Sequence, residues 1–377
     1  MQIGMTKMFR DDLERCEDAE EFREIMTKHE PNMVLWSDIY ETQRKEKNTT
    51  VLKMAEYCQV TRNTARQWKQ KIPVKREHVI GIGMYWDMNL QQINRLLTRY
   101  GKYPALYSKN PQDAIYIYLI NNRKDFKDYD VYEDKYKTFF VRDQKEAERK
   151  DLQEPQTCLL DERLARVQTD QEFQKFMEEN VEVFQRRNHE FYDFVSKYME
   201  KQGLNANNLA EDKKIKNIYN NAFSNFKKNG LIPKRSLLLA LGIHLSMQVE
   251  DMNYMLELAG MEALCPKDRL EAAVIFAMED LYLNNPVVVS EGMVHLTEEQ
   301  EAQIMESCGG MVWNERTSEL QDLETLILEH KKRPMPEIVK YFDNGELVQV
   351  TDYVKRRVQE LDADLPDQEL DLFLKLL

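Results

Sequence analysis

Two stretches of this chain decide its fold: residues 75–84 read KREHVIGIGM, and residues 234–243 read KRSLLLALGI. They belong to a longer match, in which residues 72–119 recur without a gap 159 positions later. A shorter match lies upstream, where residues 21–26 return 151 positions later as residues 172–177. A fixed offset over such a length indicates a duplicated structural unit. We therefore predict that one helical module is used twice and that both copies fold alike.

The composition favours long helices over turn-rich sheets. Glycine and proline number 12 and 11 among 377 residues, about half of their usual combined share. Gly101 is expected to end one of the helices as a left-handed cap. The sequence predicts an all-α fold, in which apolar residues recur at helical spacing in residues 18–30, 50–57, 75–86, 90–100 and 112–119.

Changes in composition divide the chain into four segments. Asp343-Asn344-Gly345 separates two short apolar runs as in a β-hairpin, and helical patterns occupy residues 315–330 and 352–361. The predicted organisation is a first helical module at 1–120, a charged linker at 121–168, a second, divergent module at 169–285 and an acidic C-terminal domain at 286–377. An α+β fold remains open for the C-terminal domain.

Charge is distributed unevenly along the chain. The formal net charge is −13, and residues 286–377 hold 20 acidic against 9 basic residues, a net charge of −11. Each module contains a stretch without acids: residues 57–76 have six basic residues, and residues 213–249 have seven lysines and arginines. This local pattern, unlike the total charge, is compatible with a nucleic-acid partner.

Several kinds of site have no signature in the sequence. The five cysteines and six histidines are dispersed without a C-x-x-C or H-E-x-x-H pair, so no metal site is predicted. No phosphate-binding loop or nucleophile motif occurs, and we predict no cofactor, no catalytic residue and no enzyme activity. Gly81 and Gly83 lie inside a predicted helix, where close packing explains them. No apolar run reaches the ~20 residues that span a bilayer, and no signal peptide is evident, so we expect a cytoplasmic protein without a membrane partner.

The motif that points to function lies at residues 60–68, which read VTRNTARQW. It resembles the pattern V-S-x-x-T-I-x-x-W/I of the Cro/C1 (XRE, lambda-repressor-like) helix-turn-helix family. Ala55 stands where that family has the alanine of its first motif helix. Gln59 and Lys69 depart from the family, which has glycine and glutamate at these positions. The resemblance implies two repeated helix-turn-helix modules plus the small C-terminal domain.

The resemblance also implies roles for individual residues of the first module. Val60 and Trp68 are then the apolar anchors of the recognition helix, and Thr61 is its N-cap. The exposed backbone N–H groups at this helix N-terminus could donate hydrogen bonds to a phosphate. The residues between the anchors face the major groove in this family and are expected to read bases: Arg62, Asn63, Arg66 and Gln67. The flanking basic residues are expected to meet phosphates: Lys69, Lys71, Lys75 and Arg76.

The second module matches the family less closely. Leu209-Ala210 fits the first motif helix, and we place the second recognition helix near residues 218–228 with Phe223 and Phe226 as anchors. The residues of that helix expected to face outward and contact DNA are Asn220, Asn221, Ser224, Asn225, Lys227 and Lys228. Beyond the helix, Lys234 and Arg235 are expected to meet phosphates.

These patterns predict a DNA-binding protein of bacterial or phage transcription control, with double-stranded DNA as its partner. A different class also fits the overall acidity and the divergent second module: an interaction or scaffold protein of a signalling or defence complex. The acidic region at 286–377 would contact protein, either a partner or a second copy of the chain. It could equally act as an internal mask that competes with DNA for the basic stretches.

Overall fold

The fold is known from a computed structural model, which shows a mostly helical chain, so the all-α prediction is confirmed. It describes residues 2–16, 18–33, 35–140, 157–186, 188–201, 203–205, 209–210, 212–284, 288–289, 340–343, 346–361 and 368–377. The helical pattern predicted at 315–330 lies outside these residues.

The helices fall close to the positions that apolar spacing predicts. The chain begins with α1 (Gln2–Glu14), α2 (Ala19–His29), α3 (Trp36–Glu46), α4 (Val51–Tyr57), α5 (Arg62–Gln67), α6 (Arg76–Tyr85), α7 (Leu90–Arg95), α8 (Pro111–Asn121) and α9 (Tyr129–Tyr136). A π-helical turn at Leu96–Tyr100 continues α7, and short 3-10 turns occur at Glu30–Asn32, Phe126–Asp128 and Lys137–Phe140.

The later part of the chain is helical as well, with a small sheet. The helices are α10 (Thr157–Ala165), α11 (Asp170–Glu179), α12 (Val181–Gln185), α13 (His189–Lys201), α14 (Lys213–Asn229), α15 (Arg235–His244), α16 (Val249–Leu258), α17 (Arg269–Asn284), α18 (Val350–Glu360) and α19 (Gln368–Leu376). Strands β1 (Val288–Val289), β2 (Lys340–Asp343) and β3 (Glu346–Gln349) form an antiparallel sheet in that order. The predicted hairpin and the helix at 352–361 are therefore present.

Two separate hydrophobic cores organise the described residues. One core takes its buried side chains from Trp36 to Phe184, and we call these residues the first unit. The other combines residues 9–22, 191–278 and 350–376, which we call the second unit. The grouping of buried side chains differs from the predicted boundaries in two places. The segment predicted as a linker at 121–168 contributes α9 and α10 to the first core, and the predicted C-terminal domain contributes α18 and α19 to the second.

The two units exchange equivalent helices. Phe22 of α2 is buried against Phe276 of α17, with ring centroids 5.3 Å apart. Phe173 of α11, which lies 151 positions after Phe22, stacks on Tyr118 of α8 at 4.2 Å. The helices α1 and α2 precede the first unit in sequence but pack in the second, whereas α10 and α11 complete the first. The hydrophobic core of the second unit therefore includes side chains from the N-terminal helices α1 and α2.

Both units contain the same buried ion pair. Arg76 at the start of α6 donates to both carboxylate oxygens of Asp113, at 2.6 and 2.9 Å. Arg235 at the start of α15 does the same to Glu271, at 2.6 and 2.8 Å. Each guanidinium also donates to two backbone carbonyls in the loop before α8 or α17. These contacts tie the first and last helices of each repeated segment together.

The ion pairs show that the two copies of the repeat differ by one residue in length. The prediction of a gapless match is therefore wrong. The arginines are 159 positions apart, but the carboxylates Asp113 and Glu271 are 158 apart. The extra residue of the first unit is taken up by the π-helical turn at Leu96–Tyr100, as is usual for single-residue insertions in helices. Consequently Lys102 (φ 56°) is the counterpart of Gly260 (φ 70°). Gly101 has φ −87°, so its predicted role as a left-handed cap is wrong.

Candidate nucleic-acid interface

Helices α4 and α5 are joined by a short turn at residues 58–61. Thr61 has extended backbone angles, and its hydroxyl accepts the N–H of Thr64 at 3.2 Å, so it is the N-cap of α5. The turn closes where the N–H of Val60 donates to the carbonyl of Ala55 at 2.9 Å. Gln59 in this turn takes the left-handed backbone conformation, with φ 56°. A residue with a side chain is thus held in a backbone conformation that favours glycine.

The inner face of α5 packs against the first core. Ala65 is fully buried and Trp68 is only 3% exposed, which confirms that Trp68 is an anchor and not a surface platform. The indole N–H of Trp36 donates to the carbonyl oxygen of Trp68 at 2.6 Å, which fixes the end of α5. Val60, predicted as the second anchor, is only partly buried. The orientation of α5 is therefore set mainly by its C-terminal end.

The outer face of α5 carries the four side chains predicted to read bases. Arg62, Asn63, Arg66 and Gln67 are all exposed. Among the described residues, none of these side chains has a hydrogen-bond or ion-pair partner. The structure thus brings the four together on one short helix with their donor and acceptor groups uncommitted.

The flanking lysines are not equivalent to one another. Lys69 lies 3.4 Å from Glu41, which also binds Arg44 at 2.8 Å. The hydrogen bond from Arg44, together with that from Lys69, lowers the pKa of Glu41, so this carboxylate competes for Lys69. Lys71 and Lys75 are exposed, and Lys75 is the N-cap residue of α6. Lys75 is accordingly better placed for phosphate contact than Lys69.

Arg76 and Arg235 are both engaged in ion pairs within their own units, which argues against their assignment as phosphate contacts. The side chain of Arg235 is 5% exposed and that of its partner Glu271 is 4% exposed. Arg76 is held in the same way by Asp113. Because a guanidinium already engaged by a carboxylate and two carbonyls has few free donors, neither arginine can serve DNA without breaking the fold.

The second unit does not contain the predicted helix-turn-helix. Its long helix α14 spans the whole region predicted as a recognition helix, with Asp212 as N-cap and Gly230 in the left-handed conformation at its end. Leu209 and Ala210, predicted to lie in the first motif helix, are not helical. Phe226 is buried as predicted, whereas Phe223 is only partly buried. The second unit thus has one long helix where the first has α4 and α5.

The candidate DNA contacts of the second unit therefore lie on an ordinary surface helix. Asn220 is partly buried, and the other outward positions of α14 are exposed, namely Asn221, Ser224, Asn225, Lys227 and Lys228. Lys234 is also exposed and forms the N-cap position of α15. Among the residues described between α13 and α14, none forms a short helix that would precede α14 across a tight turn.

A cleft lies between the two units, and no pattern in the sequence predicts it. It has a volume of about 980 Å³, and Lys75 and Lys234 both line it. The acid-free stretches thus meet, but not as a continuous positive surface, because the cleft also holds carboxylates. Burial raises the pKa of one of them, Glu133. The stacked rings of Tyr116 and Tyr129, 4.1 Å apart, form part of its wall. The carboxylates that line the cleft are Glu77, Asp113, Asp130, Glu133, Glu190 and Glu257.

The described residues contain no group of three or more His, Cys, Asp or Glu side chains arranged to hold a metal ion. Nor does the described part of the chain include a helix with the length and apolar character needed to cross a membrane. Comparison with known proteins finds no family model, no curated protein and no solved structure that matches this chain. Function has to be argued from the geometry of the chain itself.

Proposed function

We propose that this protein binds double-stranded DNA by placing α5 of the first unit in the major groove. The observation that carries this proposal is the outer face of α5, where Arg62, Asn63, Arg66 and Gln67 are exposed and lack partners among the described residues. Arginine pairs with guanine and asparagine or glutamine with adenine through two hydrogen bonds each. A capped helix whose opposite face is buried holds such side chains in a fixed register.

Local electrostatics support the same surface. Residues 57–76 contain no acid, although the chain as a whole is acidic. Because Arg76 is held by Asp113 and Lys69 is shared with Glu41, a phosphate contact is expected from Lys75, which is exposed. With so few phosphate contacts, affinity should be modest and should depend only moderately on salt concentration.

One chain offers one recognition helix, because the second unit has α14 in place of a helix-turn-helix. A single helix of this kind reads a half-site of a few base pairs. Binding to an inverted repeat would require two chains related by a twofold axis. A role in bacterial or phage transcription control follows from the family resemblance alone and is part of the proposal.

The proposal can be tested by selecting bound sequences from a random DNA pool with the full chain. Arg66→Ala should weaken binding to a selected sequence by about 1–3 kcal/mol and binding to random DNA much less, because base contacts discriminate. Lys75→Ala should weaken binding to both DNAs alike. The matched control is Arg95→Ala, which removes an exposed arginine of α7. No enrichment of any sequence, or equal effects of Arg66→Ala and Arg95→Ala, would reject the proposal.

The cleft favours a second candidate function, that of an interaction protein. Its carboxylates, with the ring of Tyr129 beside Glu133, suit a cationic peptide segment. Fluorescence anisotropy with a labelled oligolysine peptide would test this, with an oligoglutamate peptide as control. Saturable binding that Glu77→Gln and Asp130→Asn weaken, without loss of DNA selection, would favour the interaction role. Equal binding by these variants would argue against it.

A further inference from the structure

A smaller pocket of about 320 Å³ lies where three parts of the chain meet. Residues 31–33 and 35 line it from the connection between α2 and α3, and Asp38, Ile39 and Thr42 line it from α3. The π-helical turn contributes Arg99 and Tyr100, and the loop before α17 contributes Lys267. The pocket therefore contains residues of both units. Its volume is at the lower end of the roughly 300–1,000 Å³ typical of ligand pockets.

Of the two cations of this pocket, Lys267 is buried and Arg99 is partly buried, and neither has a counter-charge among the described residues. Lys267 is only 4% exposed, and within the described residues its side chain has no hydrogen-bond or ion-pair partner. The Nε atom of Arg99 is fully enclosed and likewise lacks a partner. Most exposed cations of a protein are simply solvated, but a buried cation is costly unless something compensates its charge. An anion bound between Arg99 and Lys267 would supply that compensation.

The π-helical turn supports a ligand-binding role for the same place. Arg99 lies inside the one-residue insertion that distinguishes the first unit from the second. In the second unit the corresponding helix α16 is regular, and no arginine occupies this position. Insertions of this kind disturb a helix and are frequently found at functional sites. Here Arg99 of the turn lines the same pocket as Lys267 of the other unit.

We propose that this pocket binds a small anion that carries a phosphate group. A phosphate monoester has a charge of roughly −1.5 to −2 at pH 7, which matches two cations, whereas a carboxylate would compensate only one. Asn32, Thr42 and Tyr100 add neutral hydrogen-bonding groups. Asp38, the acidic side chain that lines the pocket, is exposed, so it repels an anion less than a buried carboxylate would. This site is separate from α5 and does not depend on DNA binding.

A ligand held by Arg99 and Lys267 would join the two units. The units already meet through backbone and ionic contacts, since Ala105 N–H donates to the carbonyl of Gly260 at 2.9 Å and Lys102 lies 2.8 Å from Asp268. Binding that requires both units in this arrangement stabilises the arrangement. The expected result is a rise in melting temperature with ligand concentration.

Isothermal titration calorimetry of the full chain with inorganic phosphate, adenosine 5′-monophosphate, adenosine and acetate tests the proposal. We expect saturable binding of the two phosphate compounds and none of adenosine or acetate. Arg99→Gln should weaken that binding about tenfold or more, because a charge-assisted hydrogen bond is lost. Arg95→Gln, one turn earlier on the exposed face, should leave it unchanged. Binding of phosphate alone would indicate free phosphate, and preference for the nucleotide would indicate a phosphorylated metabolite.

A second variant separates ligand binding from a structural role. Lys267→Met removes the buried charge and keeps most of the side-chain volume. It should abolish phosphate binding and raise the melting temperature of the ligand-free protein, because an uncompensated buried charge is removed. A lower melting temperature of ligand-free Lys267→Met would show that Lys267 supports the fold. Absence of saturable binding with both phosphate compounds, or undiminished binding by Arg99→Gln, would overturn the proposal.

Discussion

At the scale of single residues, the sequence could not distinguish surface cations from buried ones. Arg76 and Arg235 head helices in acid-free stretches, so they resembled phosphate contacts. Their partners Asp113 and Glu271 lie 36 or 37 positions away, beyond the reach of any local pattern. The recurrence of a lysine-arginine pair at the same place in both copies was compatible with either role. Only the positions of the acids in space decide that these arginines hold each unit together.

The buried arginine of the second unit gives a stability prediction. Arg235→Ala should lower the free energy of unfolding by about 3–5 kcal/mol, because Glu271 is left buried without its partner. The double variant Arg235→Met with Glu271→Leu should lose much less, since no unpaired charge remains. Urea denaturation followed by circular dichroism measures both. A larger loss in the double variant than in Arg235→Ala would contradict this account of the ion pair.

His244 makes the second unit sensitive to acid. Burial lowers the pKa of its imidazole below the ordinary value of 6.5, and nearby Lys355 acts in the same direction. Its Nε2 lies 2.9 Å from the carbonyl oxygen of Leu376 in α19, so a neutral ring with Nε2 protonated can donate there. The unfolded state then binds a proton more readily than the folded state. The contribution of neutral His244 to the free energy of unfolding is therefore fully present above about pH 6.5, and it is lost as the pH falls below that value.

The variant His244→Gln tests this dependence. It keeps a hydrogen-bond donor for the carbonyl of Leu376 but cannot titrate. We expect the drop in unfolding free energy between about pH 7 and pH 5 to become smaller than in the natural chain. His78→Gln provides a comparison in the first unit, where the ring packs on Trp68; because burial also lowers the pKa of His78, this variant should reduce the same drop. An unchanged pH profile for His244→Gln would remove this histidine as the cause.

At the scale of elements, the duplication provides a matched pair of helix crossings. A methyl group added at Gly83 of α6 would lie 2.8 Å from Cγ1 of Ile93, close to the rigid branched stem of that side chain. The same change at Gly242 of α15 meets the terminal methyl group of Met252 at 2.7 Å, which can rotate away. The two glycines thus serve the same close approach against neighbours of different stiffness.

Alanine substitutions at these glycines should therefore differ in effect. Gly83→Ala is expected to cost about 1–3 kcal/mol of overpacking, which outweighs the gain of up to ~1 kcal/mol in helix propensity. Gly242→Ala should be close to neutral, because Met252 yields. Thermal unfolding of both variants under the same conditions makes the comparison. Equal destabilisation would mean that the second crossing is as rigid as the first.

The helices themselves were largely predictable, because apolar spacing and capping residues act locally. Thr61 as N-cap and Trp68 as anchor followed from a nine-residue motif. The prediction of a short second recognition helix was wrong for a physical reason. Apolar residues recur at helical spacing without a break over residues 213–229, and α14 spans this whole segment. The cleft, the phosphate pocket and the register shift at the π-helical turn all depend on contacts between distant segments. No local pattern contains that information.

At the scale of the whole molecule, the chain is a pair of interlocked units. The sequence showed that residues 21–26 resemble residues 172–177, but not that each segment completes the core of the other copy. Phe9 and Leu13 of α1 are buried in the second unit, and Leu160 and Leu164, each 151 positions later, are buried in the first. The connection between α2 and α3 therefore crosses from one unit to the other. Its residues line the pocket proposed to bind phosphate.

This exchange gives a prediction that distinguishes interlocked units from independent ones. Phe22→Ala and Phe173→Ala should each cost about 3–5 kcal/mol, as truncations of buried phenylalanines. Their effects should appear in opposite units. Hydrogen exchange followed by mass spectrometry should show faster exchange in α17 for Phe22→Ala, because Phe22 packs on Phe276. For Phe173→Ala, the faster exchange should appear in α8, where Tyr118 loses its stacking partner.

Tryptophan fluorescence provides an independent readout of the same pair of variants. Trp36, Trp68 and Trp86 all lie in the first core, so in a Trp313→Phe background fluorescence reports the first unit. Phe173→Ala should lower the urea midpoint of this signal more than Phe22→Ala does. If instead Phe22→Ala sped exchange in α8 and shifted the fluorescence midpoint as far as Phe173→Ala, then α2 would belong to the first unit. The proposed exchange of helices between the units would then be wrong. Helices α1 and α2 would pack in the first unit, which follows them in sequence, and the connection after α2 would not cross between the units.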